Sequence, residues 1–531
     1  MHRLRAGQVL TLMLAVAAGP ASAAEEAALI TAVQRLDRVA VGALLDRGAD
    51  VNFAASDGMT ALHWAAQGGD LALVDSLLAA GAAVDAPNRF NVRPLELASN
   101  NGDAAIVRRL LQAGADPNAT SREGQTALMS AALSGDVGVI EALLANGAAV
   151  DATESYRGQT ALMLAAGEGN TDAVRALIER GANVTAQSKA GFTPLLFAVR
   201  NAQLDAVRVL IEHGANVNDV VPRDGTSALN VAVVNAFYEV ASVLVEHGAD
   251  PNLPDARASP LHTIAWLRKP GATDRAGGVG ELATAAPRPL GTVTSLELAQ
   301  QLLDHGANPN VRVDWPEIRF EALGGTTRNP PGIPLGRHLL TYNGATAFYV
   351  AAKNGDAEYM RLLARNGADP SITNRFGITP LMVAAGLDTW EGETPGPHTG
   401  VSEAERLEAV KTALELGNDI NAVADFGDYP MIGEPEYTLL YYPHNLKDLQ
   451  DLGMGDPRWS GSTALHGSII SNQPSIVQYL VDQGADLDAK TATGWTALMM
   501  SRGVFLTNTG REFPAAEAIL VKALAERDAR K

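Results

Sequence analysis

The sequence predicts an all-α solenoid of about twelve helix-turn-helix units, with turns that project between units and loop insertions that interrupt the stack. The first observation behind this prediction is a motif, Thr-x-Leu followed by small apolar residues, that begins at Thr60 and returns about every 33 residues. The second observation is a pair of short amphipathic segments in each unit. The leucine position of the motif is occupied by Leu62, Leu95, Leu128, Leu162, Leu195, Leu229, Leu261, Phe348, Leu381, Leu465 and Leu498.

The unit that contains Leu195 illustrates why this pattern favours two packed helices. Leu195, Ala198 and Val199 follow the spacing of one helical face, and the small alanine lets a neighbouring helix approach closely. A second apolar stripe follows over residues 204–211, and Gly214 stands where a left-handed helix end favours glycine. Because a single helix pair cannot bury both of its faces, each unit depends on its neighbours for stability.

Two motif copies, Thr193-Pro194-Leu195 and Thr379-Pro380-Leu381, resemble the Thr-Pro-Leu-His-x-Ala signature of the ankyrin repeat. The segment 210–218 resembles the end of the second helix of that repeat. The resemblance extends over the chain apart from its leader and its insertions, and it implies a curved stack that recognises protein partners through a concave groove and the turn tips. The local departures from the signature are Arg93, Ser227 and Phe348.

Composition and charge exclude several classes of protein. The 531-residue chain has 47% hydrophobic and 19% charged residues, which is typical of a folded rather than a disordered chain. Its net charge of -19 repels phosphate backbones, so we expect no nucleic-acid partner. It contains no cysteine, which excludes disulfides, thiol nucleophiles and zinc-thiolate sites.

Residues 1–23 have the pattern of a secretory signal peptide. Arg3 and Arg5 precede an apolar run over 9–18, and the small residues 21–23 are typical of a cleavage site. This run is about half the roughly 20 residues that a transmembrane helix needs, and no later run is longer. We therefore expect cleavage near Ala23, no transmembrane segment, and a bacterial periplasmic or secreted protein.

Two long gaps in the motif divide the remaining chain. We assign 24–265 to repeats 1–8, of which the last is incomplete, 344–424 to repeats 9 and 10, and 461–531 to repeats 11 and 12 with a C-terminal cap. Residues 266–343 then hold the interrupted repeat 8 with a projecting insertion, and 425–460 hold an aromatic insertion. The four inserted segments run from Trp266 to Thr292, Asp314 to Asn343, Leu387 to Val401 and Asp425 to Ser460.

The sequence contains no familiar catalytic motif. It has no Gly-x-Ser-x-Gly elbow, no His-Glu-x-x-His helix and no phosphate-binding Walker loop. His63, His262 and His466 occupy the histidine of the repeat signature, where the resemblance implies a hydrogen bond in the turn. Three more histidines, His213, His247 and His305, precede helix-ending glycines, whereas His338, His398 and His444 lie in insertions. We therefore predict no enzymatic activity, no cofactor and no metal site.

These observations favour a monomeric scaffold that binds an unidentified protein. In a first helix, the residues two, five and six positions after the motif leucine lie opposite the packed face, and this places them in the groove. Repeats 9 and 10 lie between the two projecting insertions, so we expect the main binding cleft there. The predicted partner-binding residues are Trp64, Phe197, Arg200, Trp315, Tyr342, Tyr349, Lys353, Val383, Tyr429, Tyr437, Tyr441, Tyr442 and Trp459, with Gln67, Leu164 and Val231 at equivalent helix positions.

The alternative hypothesis is a receptor for a small molecule, a peptide or a glycan, or an enzyme, whose site the aromatic insertions build. Tyrosine and tryptophan offer flat apolar faces with a polar edge, which suits such ligands. The sequence lacks a convergent set of catalytic residues, and this argues against an enzyme. Screening against glycans and metabolites separates the two hypotheses.

Overall fold

The computed structural model describes residues 23–222, 225–253, 258–269, 290–313, 344–387, 401–425, 460–492, 494–503 and 512–531. Within these ranges the protein has 24 helices and no strand. The chain divides into two compact units, Met1–Ala215 and Asn216–Lys531, which we call unit 1 and unit 2. The predicted all-α architecture of paired helices is confirmed.

Unit 1 is built from helix pairs in which each second helix has nine residues. First helices pack on the first helices of neighbouring repeats, and second helices pack on second helices, so two layers result. Its helices are α1 (Ala23–Gln34), α2 (Arg38–Asp46), α3 (Ala61–Gln67), α4 (Leu71–Ala79), α5 (Pro94–Asn100), α6 (Ala104–Gln112), α7 (Ala127–Ser134), α8 (Val137–Ala145), α9 (Ala161–Glu168), α10 (Thr171–Glu179), α11 (Pro194–Arg200) and α12 (Leu204–Glu212).

Unit 2 repeats this arrangement. Helix α15 extends to Arg268, so Trp266 is helical, and its assignment to an insertion is wrong because no glycine or proline ends the helix before it. The helices of unit 2 are α13 (Ala228–Val234), α14 (Tyr238–Glu246), α15 (Pro260–Arg268), α16 (Ser295–Asp304), α17 (Ala347–Lys353), α18 (Ala357–Arg365), α19 (Pro380–Ala384), α20 (Glu403–Glu415), α21 (Ala464–Ile470), α22 (Pro474–Asp482), α23 (Ala497–Ser501) and α24 (Pro514–Arg530).

Side-chain caps begin the helices where the repeat motif places them. The hydroxyl of Thr160 accepts a hydrogen bond from the backbone N–H of Met163 at 3.3 Å, and the carboxylate of Asp136 accepts from Val139 N–H at 2.8 Å. Gly214 ends α12 with a φ of 91°, and no atom lies within 4 Å of the position that a Cβ would take. Glycine is therefore needed at this helix end for its backbone angle and not for space.

The motif leucines form the core between the two layers. Leu62, Leu162 and Leu195 are completely buried, and the second helices contribute Leu177 and Leu210, which are also completely buried. Burial of a leucine side chain contributes roughly 1.5–3 kcal/mol to stability. The predicted apolar stripes thus hold the repeats together.

Buried histidines connect consecutive repeats through backbone carbonyls. The N–H of Thr60 donates to Nδ1 of His63 at 3.1 Å, so Nε2 carries the ring proton and donates to the carbonyl of Val92 at 3.1 Å. Nε2 of His262 donates in the same way to Ala345 at 3.2 Å, and Nε2 of His466 donates to Trp495 at 3.3 Å. Burial lowers the pKa of His262 and of His466 to about 4. These two imidazoles are therefore neutral near pH 7, as their hydrogen bonds require.

An ionic network joins the helices on either side of the segment 270–289. Nε of Arg268 lies 2.6 Å from Asp356 Oδ2, and Nη2 lies 3.0 Å from Glu358 Oε2. Nη1 donates to Ser295 Oγ at 2.9 Å, so the same guanidinium also reaches the start of α16. The Arg268 side chain is 13% exposed and that of Asp356 is 2% exposed, which makes this a largely buried ion pair.

Two further contacts hold the flanks of the same segment. The ammonium of Lys269 forms an ion pair with Glu405, and this hydrogen bond, together with those from Ser402, lowers the pKa of Glu405 to about 2. On the other flank, the carboxylate of Glu239 accepts hydrogen bonds from the N–H of Thr292 at 2.7 Å and from its hydroxyl at 3.1 Å. Both flanks are thus bonded to helices of other repeats.

Candidate binding surface

Unit 1 presents a row of partly exposed apolar side chains along its first helices. Trp64, Leu97, Leu164 and Phe197 each lie two residues after the motif leucine, and each is half-buried rather than buried. This agrees with the prediction that this helix position faces away from the packed layer, although Ser130 at the same position of repeat 4 is buried. Gln67 and Arg200, five residues after the motif leucine, are exposed at the ends of α3 and α11.

Two of these aromatic residues have surroundings that bear on binding. The ring of Phe197 lies 5.9 Å from the ring of Phe192 with a tilt of 58°, so the two aromatics form one apolar patch. The indole N–H of Trp64 is buried and makes no hydrogen bond with any described residue. Trp64 therefore contributes to this surface through its apolar ring.

The turns between repeats of unit 1 are linked to one another by backbone hydrogen bonds. The N–H of Arg89 donates to Asp57 O at 2.9 Å, and the N–H of Arg122 donates to Phe90 O at 3.0 Å. The N–H of Ser155 donates to Glu123 O at 2.7 Å, and the N–H of Lys189 donates to Arg157 O at 2.8 Å. These bonds order five consecutive turn tips into one row.

A turn glycine makes this close approach possible. Gly124 has a φ of 79°, and a Cβ at this residue would lie 2.8 Å from the backbone nitrogen of Ser155, which is closer than carbon and nitrogen tolerate. Glycine at this position therefore serves both the turn conformation and the contact with the next turn.

Exposed aromatic and basic side chains occupy these tips. Phe90 is 55% exposed and Tyr156 is 79% exposed, and both rank among the exposed large apolar side chains of the described residues. The guanidinium of Arg89 lies 5.1 Å from the centroid of the Phe90 ring, and that of Arg157 lies 5.8 Å from the centroid of Tyr156. These distances are within the range of cation–π attraction.

The family resemblance implies binding at the turn tips, but no tip residue stands among the predicted binding residues, which lie on helices and in insertions. A signal was nevertheless present, because the turns of repeats 3 to 6 each carry a basic residue five or six positions before the motif leucine. These residues are Arg89, Arg122, Arg157 and Lys189.

The residues predicted to form the centre of the cleft in repeats 9 and 10 are buried. Tyr349, Lys353 and Val383 are 2%, 7% and 0% exposed. Their placement on an open groove is therefore wrong, since every residue of α17 and of α19 is buried and neither helix has a free face. The hydroxyl of Tyr349 accepts a hydrogen bond from Asn374 Nδ2 at 3.3 Å, which places it among the interior contacts of its repeat.

The same turn sequence occurs in both units with different exposure. Asn88-Arg89-Phe90 in unit 1 and Asn374-Arg375-Phe376 in unit 2 share their residues, and Phe376 O accepts from Asp425 N–H at 2.8 Å as Phe90 O does from Arg122. Phe376, however, is 3% exposed. A phenylalanine at this turn position can thus be covered, and in unit 1 it is left open.

The remaining predicted binding residues lie outside the described residues, and their roles stay predictions. They are Trp315, Tyr342, Tyr429, Tyr437, Tyr441, Tyr442 and Trp459.

In the part of the chain that the structure describes, no group of three or more histidine, aspartate or glutamate side chains is placed to hold a metal ion. No helix among the described residues has the length and apolar character needed to cross a membrane.

Comparison with known proteins agrees with the repeat architecture. The family model for ankyrin repeats (3 copies) matches residues 6–88, 95–188 and 185–255, and the model for a single ankyrin repeat matches 343–375 and 460–492. A similar solved structure is the human ASB11 ankyrin repeat domain, which is 28% identical, covers 42% of this chain and 98% of that chain, and gives a TM-score of 0.39. No curated protein matches the sequence. The two family models together match more than half of the chain, which therefore belongs to the ankyrin-repeat family.

Proposed function

We propose that this protein is an exported, non-enzymatic scaffold that binds another protein through the first-helix face and the turn tips of unit 1. Ankyrin repeats generally mediate protein–protein interactions. The observation that carries the proposal is the contrast between unit 1 and repeats 9 and 10. Unit 1 exposes Phe90 and Tyr156 and leaves Trp64 and Phe197 half-buried, whereas the equivalent residues Val350, Val383 and Phe376 are buried.

The exposed groups have the composition of a protein-binding surface. Aromatic residues and arginine are enriched at interfaces because they bury a large area with few rotatable bonds. Phe197 and Phe192 supply an apolar patch, and Arg200 lies exposed at the end of the same helix. The hydrogen bonds between consecutive turns hold the tips in place, so binding requires little ordering of this surface.

We test the binding face by photo-crosslinking. A benzophenone amino acid replaces Gln67 or Arg200, which are exposed on the first-helix layer, and in matched controls it replaces Arg108 or Arg175, which are exposed on second helices. The four proteins are produced in the periplasm of a bacterial host and irradiated. We expect crosslinked adducts from positions 67 and 200 and few or none from positions 108 and 175.

Two results would contradict the proposed face. Equal adduct yields at all four positions would mean that contacts are nonspecific. The second result would be no adducts from positions 67 and 200, together with adducts from other positions that disappear when residues 426–459 are deleted. That result would place the site at the aromatic insertion instead.

The proposed location rests on the leader sequence, with its two arginines, apolar run and small residues at 21–23. We expect the exported protein to begin at Ala24, because the cleavage pattern ends at Ala23. Intact-mass measurement of protein recovered from the periplasm or the medium tests this. An exported protein that keeps Met1 would show that the leader is not a cleaved signal.

A further inference from the structure

We propose that the turn tips of unit 1 select an extended acidic segment of the partner, with one carboxylate bound at each successive tip. This inference rests on the proposed function, since it names the chemistry of the partner at the same face. It begins from four basic residues on consecutive turns. Arg89, Arg122, Arg157 and Lys189 are all exposed.

The positive charges at these tips are not neutralised by ion pairs within the described part of the protein. Among the described residues, Arg89, Arg122 and Arg157 form no ion pair, and Lys189 donates only to the carbonyl of Ser155. This is unusual in a chain with a net charge of -19, in which acidic groups outnumber basic ones. The net charge of the chain opposes an acidic partner at long range, but four cations on one row of turns, which form no ion pair with any described residue, attract it locally.

Two of the three carboxylates near the tips are held in place by hydrogen bonds from backbone N–H groups. Glu154 accepts hydrogen bonds from the N–H groups of Tyr156, Arg157 and Gln159 at 2.6, 2.6 and 3.0 Å. Although partial burial acts in the opposite direction, these bonds and the nearby Lys189 hold the pKa of Glu154 below its ordinary value. Asp57 accepts from Met59 N–H at 2.9 Å. Glu123 is exposed beside Arg122, and its carboxylate is not held by turn N–H groups; all three carboxylates keep their negative charge, so the four basic residues outnumber the acidic groups of the row by only one.

The spacing of the tips suits an extended peptide. Packed repeats follow one another at about 10 Å, the distance between packed helix axes. A peptide in the extended polyproline II conformation rises about 3.1 Å per residue with three residues per turn, so every third side chain lies on the same face, about 9 Å further along, and meets the next tip. The backbone bonds from turn to turn keep this spacing regular over the whole row.

The aromatic residues explain why the ligand is a peptide rather than a free anion. Phe90 and Tyr156 stand open beside Arg89 and Arg157, and each arginine lies against its neighbouring ring. The cation–π contacts restrict the guanidinium groups and leave apolar surface between the charges. A peptide with small or apolar residues between its carboxylates can contact both the guanidinium groups and the apolar surface between them.

The experiment measures binding of a labelled probe peptide by fluorescence anisotropy at low salt. The probe has glutamate at every third position with glycine and serine between, and the two control peptides carry glutamine at those positions or the same glutamates in one cluster. We expect the mature wild-type chain to bind the spaced-glutamate peptide about 10-fold more tightly than either control peptide, because several exposed ion pairs act together.

Matched variants locate the site. Arg89→Glu/Arg122→Glu/Arg157→Glu reverses three tip charges, and Arg108→Glu/Arg175→Glu/Arg208→Glu reverses three exposed charges on second helices with the same change in net charge. We expect the tip variant to lose binding about 10-fold, the second-helix variant to stay within about twofold, and Glu123→Lys to bind more tightly than wild type. Circular dichroism confirms that each variant is folded.

Several results would overturn the inference. Equal loss of peptide affinity in the two triple variants would mean that only net charge matters. Equal affinity for the spaced and clustered peptides would contradict the binding of one carboxylate at each tip. Self-association of the wild-type chain that the tip variant abolishes would identify a second copy as the occupant. If the peptide does not bind while positions 67 and 200 still crosslink, the acidic ligand is wrong and the proposed binding face stands; if both fail, the face itself is wrong.

Discussion

Replacement of Leu162 by alanine is expected to lower the free energy of unfolding by about 2–5 kcal/mol. Leu162 is completely buried in α9, in the middle of unit 1, where helices α7 and α11 pack on either side. The substitution removes apolar contacts and leaves a cavity that neighbouring helices cannot fully close. Urea denaturation followed by circular dichroism measures the change.

A control within the same helix separates burial from helix propensity. Leu164 lies two residues further along α9 and is half-buried, so Leu164→Ala is expected to cost less than about 1 kcal/mol. Because repeats are stabilised by their neighbours, Leu162→Ala is also expected to weaken hydrogen-exchange protection in α7 and α11. Equal destabilisation by the two variants would contradict the assignment of Leu162 to the core between the layers.

Acidification is expected to destabilise the protein through His262 and His466. Burial lowers the pKa of each to about 4 in the folded state, against an ordinary value of 6.5. Between these values the unfolded chain binds more protons, so the free energy of unfolding rises with pH from about 4 to 6.5 and is lost as the pH falls through the same range. The loss is on the order of 2–3 kcal/mol for each histidine.

Glu96 has the opposite effect on the free energy of unfolding over an overlapping pH range. Its partial burial raises the pKa to about 7, although Arg93 opposes the shift, so its contribution to stability is present at low pH and is lost as the pH rises. The informative measurement is therefore the difference between wild type and His262→Gln/His466→Gln at each pH. We expect this difference to shrink steadily from pH 6.5 to pH 4.

A second pair of histidines provides the control. His213 and His247 lie exposed at the ends of α12 and α14, where each ring bonds the carbonyl four residues earlier at 2.8 Å. We expect His213→Asn/His247→Asn to keep the wild-type dependence on pH. A difference between wild type and His262→Gln/His466→Gln that stays constant from pH 6.5 to pH 4 would mean that other groups cause the loss of stability.

The sequence predicted those features that each repeat determines locally. The spacing of Leu162 and Leu195 gave the buried face, and the position of Gly214 gave the helix end, since both depend on residues within one helix pair. The partial exposure of Trp64 and Phe197 also followed from helix geometry. The pattern of the repeat was sufficient for these residues because neighbouring repeats of unit 1 surround them in the same way.

Tyr349, Lys353 and Val383 could not be placed in this way. Helical periodicity shows which direction a side chain takes from its helix, but the burial of that side chain depends on every segment that packs over it. The pair Phe90 and Phe376 illustrates the difference, because identical turn residues are open in one unit and covered in the other. The individual tip residues could not be predicted because one basic residue per turn does not alter the hydrophobic pattern.

Because the flanks of 270–289 are bonded to other repeats, the length of that segment has little effect on the stability of the stack. Arg268 and Thr292 are bonded to other repeats, to Asp356 and Glu239, and neither bond involves the segment itself. Lengthening a loop twofold costs only about 0.6 kcal/mol in closure entropy. This position is consequently a natural graft point, where evolution can acquire and reshape new sequence, and where a reporter domain can be fused, without rebuilding the repeats on either side.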